Sequence, residues 1–257
     1  MSNKIIAGNW KMNPVTLKDA KQLYSSIKKV ASKARRTKVM IFAPAIYLSE
    51  LKKLSGAGSK VELGAQDCHT KDQGAQTGEI SAFMIRDLGV KITLVGHSER
   101  RAAGETDEAI NQKIKTAISA GLRIILCVGE TERDDSGDYL DILRVQIEKD
   151  LADFPAKQAD KLIIAYEPVW AISTTKGRRD ATPDDFLHSK IFIRKILAGI
   201  IGKKKALLTP VLFGGYASPE NTIDFLVAGQ ADGLLSGRNS LSPKNFAEII
   251  KIAEHAK

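Results

Sequence analysis

The chain has 257 residues, of which 43% are hydrophobic and 27% charged; this is the balance of a globular protein with a large core, and it excludes extended disorder. The formal charge of +9 is scattered along the chain, with short clusters at Lys28-Lys29, Lys33 to Lys38, Arg178-Arg179 and Lys203-Lys204-Lys205. No aromatic stacking motif accompanies them, so solvated faces are expected and not a nucleic-acid surface, while a weaker role in drawing in a small anionic substrate stays open.

Near Met1, the apolar run Ile5-Ile6-Ala7 is broken at once by Gly8-Asn9-Trp10-Lys11, so neither a signal-peptide core nor a membrane span fits there, and a cytoplasmic location is expected. The only cysteines, Cys68 and Cys127, are too few for a disulfide framework and lack the paired spacing of a zinc site. Reduced thiols are expected. No metal or cofactor is implied, since a phosphate-loop motif is missing and Gly56-Ala57-Gly58 lacks the third glycine of a dinucleotide fingerprint.

In chain order, β-branched runs predict strands near Lys4 to Gly8, Val39 to Ala43, Lys60 to Gly64, Ile92 to Val95, Arg123 to Val128, Leu162 to Tyr166, Ala206 to Phe213 and Asp232 to Leu235. Helical spacing lies between them: Ile110, Ile114, Ala117 and Ile118 share one face, as do Phe246, Ile249, Ile250 and Ala253. Thr182-Pro183, Ser218-Pro219 and Ser242-Pro243 each place a hydroxyl at the N-cap and proline at the first helical position, marking three helix starts. With no linker or composition shift to divide it, the chain reads as a single α/β domain over residues 1–257. About eight βα units favour a closed (β/α)8 barrel, whose chemistry sits on the loops after the strands.

Those loops carry Asn9 and Lys11 after the first strand, His97 and Glu99 after the fourth, Glu130 after the fifth and Glu167 after the sixth. The seventh and eighth loops supply Gly214-Gly215 and Gly237, where bare backbone amides can approach an anion. A carboxylate base, a neutral hydrogen-bond donor, a fixed cation and a glycine-lined anion site suit proton abstraction next to a carbonyl in a phosphorylated substrate. A barrel that holds such a ligand without turning it over is the alternative from another class. A hydrolase built on His97 and Ser98 fits poorly, because no G-x-S-x-G elbow is present.

Gly8-Asn9-Trp10-Lys11-Met12-Asn13, Gly96-His97-Ser98-Glu99-Arg100-Arg101, Cys127-Val128-Gly129-Glu130 and Ala165-Tyr166-Glu167-Pro168-Val169-Trp170-Ala171-Ile172 resemble, in order, the signatures of the triosephosphate isomerase family. The resemblance implies interconversion of dihydroxyacetone phosphate and glyceraldehyde 3-phosphate through an enediolate, in glycolysis and gluconeogenesis. Glu167 would be the base, His97 the electrophile, Lys11 the positive charge and Asn9 the group that orients the carbonyl, with Glu99 positioning or shuttling protons near His97. Pairing a carboxylate with a neutral imidazole is taken from the family, which is the reference case for it. Gln66, Asp67 and Gly74-Ala75-Gln76-Thr77-Gly78-Glu79 resemble the loop that reaches into a second subunit, which implies a homodimer with Thr77 against Asn9 of the neighbour.

The chain departs from the family in three places. A lid that usually reads I-G-T-G-K-T-A-T-P is here Ile172-Ser173-Thr174-Thr175-Lys176-Gly177-Arg178-Arg179-Asp180-Ala181-Thr182-Pro183; two glycines are replaced and about three residues are added, with the Ser173 amide still expected on the phosphate. Tyr-Gly-Gly-Ser becomes Phe213-Gly214-Gly215-Tyr216, which removes one hydroxyl and offers another at Tyr216. Gly-Gly becomes Gly237-Arg238. If position 238 needs a positive φ, arginine there is strained by roughly 1–2 kcal/mol. Its side chain either pairs with the phosphate or points to solvent.

Overall fold

The structure is a computed structural model that describes residues 3–134, 136–171 and 179–256. The strands are β1 (Lys4–Asn9), β2 (Thr37–Ala43), β3 (Val61–Ala65), β4 (Ile92–Val95), β5 (Arg123–Val128), β6 (Leu162–Tyr166), β7 (Val211–Phe213) and β8 (Gly233–Ser236). All neighbours are parallel, and β8 pairs back onto β1 from Ile5↔Gly233 to Gly8↔Ser236, closing a (β/α)8 barrel in chain order. Among the described residues, the helices are α1 (Leu17–Ala31), α2 (Ala45–Ser55), α3 (Ala82–Asp87), α4 (Ser98–Ala102), α5 (Asp107–Ser119), α6 (Tyr139–Asp150), α7 (Pro183–Ile201), α8 (Lys203–Leu208), α9 (Pro219–Val227) and α10 (Pro243–His255).

A strand in this barrel is buried on both faces, which is why its sequence reads as a continuous apolar run. Along β1, Ile5 and Ala7 enter the barrel interior with Met40, Phe42, Ile92, Leu94, Ile125, Cys127, Ile163, Ala165, Leu212 and Leu235. The alternate residues, such as Ile6, Val39 and Ile41, join the larger layer between barrel and helices. Into that layer α5 sends Ile110, Ile114, Ala117 and Ile118, and α10 sends Phe246, Ile249, Ile250 and Ala253. Each fully buried isoleucine or phenylalanine contributes about 1.5–3 kcal/mol.

The three hydroxyl-proline pairs do start helices. Thr182 and Asp185 form a reciprocal capping box on α7, Ser218 and Asn221 do so on α9, and the Ser242 hydroxyl accepts from the Asn245 amide on α10. The seventh strand is shorter than the predicted 206–213 run. Gly202, at φ +87°, ends α7, and Lys203–Leu208 forms α8 with Leu207 and Leu208 largely exposed. Pro210 then has no N–H to give a ladder, so pairing is delayed to Val211.

Arg101 holds the β4 end of the barrel together. Its guanidinium donates to Gly96 O at 2.9 Å, Asp107 Oδ1 at 2.6 Å and the fully buried Asp150 at 2.5 Å, tying the loop after β4 to α5 and α6. Removing one partner of such a buried pair strands the other charge. Arg101→Met should therefore lower the unfolding free energy by about 3–5 kcal/mol in urea titration, and adding Asp150→Leu should restore most of it. A loss below about 1 kcal/mol would place this pair with ordinary surface bridges.

Candidate active site

β1 delivers Asn9 almost fully buried, and the chain then turns at Lys11, whose φ of 51° is uncommon for a residue with a side chain. Asn9 Oδ1 accepts from the Lys11 amide at 3.0 Å, and Gln66 Nε2 donates to Lys11 O at 2.8 Å, to Phe42 O at 3.0 Å and to Asn9 Oδ1 at 3.3 Å. These bonds hold a conformation that costs of order 1–3 kcal/mol. They also aim Lys11 Nζ, which lies 2.7 Å from Glu99 Oε1.

The loop after β4 carries His97 at the N-cap of α4, where the Glu99 amide donates to Nδ1 at 3.2 Å. A ring nitrogen that accepts has no proton of its own, so this is a neutral imidazole with its proton on Nε2. That Nε2 lies 3.2 Å from Glu167 Oε1, and Glu167 Oε2 accepts from the Ser98 amide at 2.9 Å. Glu167 and His97 are both buried, and Cys127 lies against the carboxylate from inside the barrel. Burial first, and then the charge of Glu167, push the Cys127 thiol well above its ordinary pKa.

Glu130, read from sequence as another strand-end carboxylate, is not in the cleft. It is fully buried, and accepts from Tyr166 Oη at 2.7 Å and Trp170 Nε1 at 2.8 Å, on either side of Glu167 in the chain. Burial raises its carboxyl above the usual range, while these donors and Arg133 pull the other way. The Val169 amide on Glu130 O and the Glu167 amide on Val128 O fix the intervening turn.

Asn9, Lys11, His97, Glu167, Gly214, Gly215, Tyr216, Gly237 and Arg238 line one cleft at the strand ends, joined by Ala217, Leu235 and Asn239. Two glycines are there for space: a Cβ on Gly214 would come within 2.8 Å of Glu167 Cγ, and one on Gly215 within 2.5 Å of the Phe213 ring. Arg238 is exposed at the rim, and no hydrogen bond or ion pair joins its guanidinium to another described residue. It is not among the described non-glycine residues with positive φ, which are Lys11, Asp153 and Gln230, so the strain considered for arginine at this position is absent. The Phe213 ring avoids the cleft and stacks on Phe225 at 3.7 Å with Phe186 edge-on at 5.7 Å.

Ser173 lies outside the described residues, as does the remainder of 172–178. Thr77 is on the 71–80 stretch, which is exposed throughout. The sequence marks Gln66 only as part of a loop, and its grip on Lys11 has no local sequence signal. Among the described residues, no group of three or more His, Cys, Asp and Glu side chains is placed to hold a metal ion, and no helix is long and apolar enough to cross a membrane.

The sequence model of the family described as triosephosphate isomerase matches residues 4–253. The chain is 42% identical to the triosephosphate isomerase of Carboxydothermus hydrogenoformans over 256 residues, 98% of this chain and 99% of that one. It is 40% identical to that of Fusobacterium nucleatum over 253 residues, again 98% and 99%. The crystal structure of triosephosphate isomerase from Bartonella henselae superposes with a TM-score of 0.82 at 34% identity, covering 97% of this chain and 98% of that one. With barrel, cleft and whole-length likeness in agreement, this chain belongs to the triosephosphate isomerase family.

Proposed function

We propose that the cleft interconverts dihydroxyacetone phosphate and glyceraldehyde 3-phosphate, the glycolytic isomerisation of this family, with Glu167 as the base and His97 as the electrophile. The observation that carries this is a buried carboxylate 3.2 Å from an imidazole whose other nitrogen is occupied by a backbone amide. Glu167 takes the proton from the carbon next to the carbonyl and returns it to the adjacent carbon. His97 Nε2–H donates to the oxygen on which charge develops, and because its geometry is already set, little reorganisation accompanies the reaction.

Lys11 supplies positive charge beside that oxygen, and Asn9 orients the carbonyl end while holding the Lys11 backbone. Glu99 keeps Lys11 Nζ in place before substrate arrives, and its own amide fixes the His97 ring. The amides of Gly214, Gly215 and Gly237, with Tyr216, form the phosphate end, to which the family resemblance assigns the amide of Ser173, outside the described residues, and Arg238 adds a guanidinium at the rim. An arginine with no carboxylate partner beside an anion site is well placed to supply charge-assisted hydrogen bonds.

The same reading takes residues 1–257 as one domain, and a homodimer as the working state, in the cytoplasm. The dimer is supported by the exposed 71–80 stretch carrying Thr77 and by apolar side chains left in solvent, Met12 at 93% and Val15 at 88% exposure. The location fits the family and two unpaired thiols.

Purified protein should turn over glyceraldehyde 3-phosphate in a coupled assay, with Glu167→Gln lowering kcat by about 10²–10⁴-fold. A variant that keeps its rate would end the assignment of the base. Arg238→Gly should raise KM about tenfold or more and leave kcat nearly unchanged, as expected for loss of a charged hydrogen bond; an unchanged KM would put the side chain in solvent. Thr77→Arg should shift the sedimenting species from twice the chain mass to one and reduce activity, and a dimer that persists would remove Thr77 from the interface.

A further inference from the structure

Two arginines approach the Trp170 indole. Arg179 Cζ is 4.2 Å from the ring centroid and Arg133 Cζ is 5.7 Å from it. Both guanidiniums reach the same carboxylate: Arg133 Nη2 is 3.5 Å from Asp185 Oδ1, and Arg179 Nη1 is 3.3 Å from Asp185 Oδ2. Asp185 is itself fixed at the start of α7, where Oδ2 accepts from the Thr182 amide at 2.9 Å. The indole N–H donates to Glu130.

The two arginines differ in what they do for the fold. Arg133 is nearly buried and also stacks on Tyr139 at 4.4 Å, so it belongs to the packing. Arg179 is more than half exposed, and its contacts with Trp170 and Asp185 compete with water, so it contributes little to stability. Its position is nevertheless particular. Trp170 follows Glu167 by three residues, while Arg179 precedes α7 and Asp185 lies in its first turn, so this side chain, together with Arg133, joins two parts of the chain that are separate in sequence.

We propose that Arg179 is a positioning residue: it holds the Trp170 ring, whose N–H donates to Glu130, and helps pin the Glu167–Trp170 turn to the head of α7, so the aim of Glu167 depends on it. This rests on the reading of Glu167 as the base. Arg179 touches no reacting atom. A planar guanidinium is suited to the task because it can stack on the indole and present an N–H to Asp185 at the same time, and an ammonium cannot stack in this way.

The test compares Arg179→Ala and Arg179→Lys with the parent protein for kcat, KM, Tm and tryptophan emission, with Glu167→Gln measured in parallel. Arg179→Ala should lower kcat about two- to fivefold at nearly unchanged KM and Tm, which is the range an exposed cation–π contact can supply. Its emission should shift to the red and become easier to quench with acrylamide. Trp170 is the tryptophan that reports this change, since Trp10 is fully buried. Arg179→Lys should fall between Ala and the parent. A parent-like kcat in Arg179→Ala, or a fall in Tm without a change in kcat, overturns the proposal. Should Glu167→Gln keep its activity, the reading of the base fails instead, and the two failures are distinguishable.

Discussion

Beyond its first two residues every strand in this molecule has both faces covered, one by the barrel interior and one by helices, so toward the strand ends no face is left on which a polar group could meet water. Chemistry is confined to where the strands stop. Asn9, His97 and Glu167 lie at the ends of β1, β4 and β6, and ring closure brings those ends to one mouth although the residues are far apart in the chain. Burial in such apolar surroundings disfavours a charged carboxylate, and Glu167 is nevertheless buried there. Glu167 is held by an amide and a neutral ring nitrogen, groups that orient a carboxylate without forming a tight ion pair with it.

Cations and anions are distributed unevenly round that mouth. Lys11 is already engaged with Glu99, whereas Arg238 has no such partner among the described residues. An arriving phosphorylated molecule thus meets one cation that must exchange an existing partner and one that need not. The inner cation is placed by backbone constraints on its own loop, and the outer one stands exposed at the rim.

Much of this was legible from the sequence. The strand at Arg123–Val128 and the starts of α7, α9 and α10 rest on local rules, apolar runs and hydroxyl-proline caps, and the structure agrees with them. The seventh strand was overextended because Ala206, Leu207 and Leu208 are apolar enough for a strand, and only the pairing partner available at Val211 decides where the ladder begins. Glu130 and Gln66 show the other limit. Each acts by reaching residues distant in sequence, Tyr166 and Trp170 for one and Lys11 for the other, and no spacing rule encodes such convergence. Local pattern located the strand ends, while the hydrogen bonds that brace them required coordinates.

The left-handed turn at Lys11 has an evolutionary corollary. A residue at that position must serve the cleft with a charge and also tolerate a backbone angle that most side chains avoid, so few replacements satisfy both demands. The requirement spreads to Gln66, which lines no part of the cleft yet donates to two oxygens of the turn, Asn9 Oδ1 and Lys11 O, and to Phe42 O of the neighbouring strand. Selection on Lys11 is therefore exerted in part at position 66, and sequence drift there would be felt in the cleft as a misplaced ammonium group.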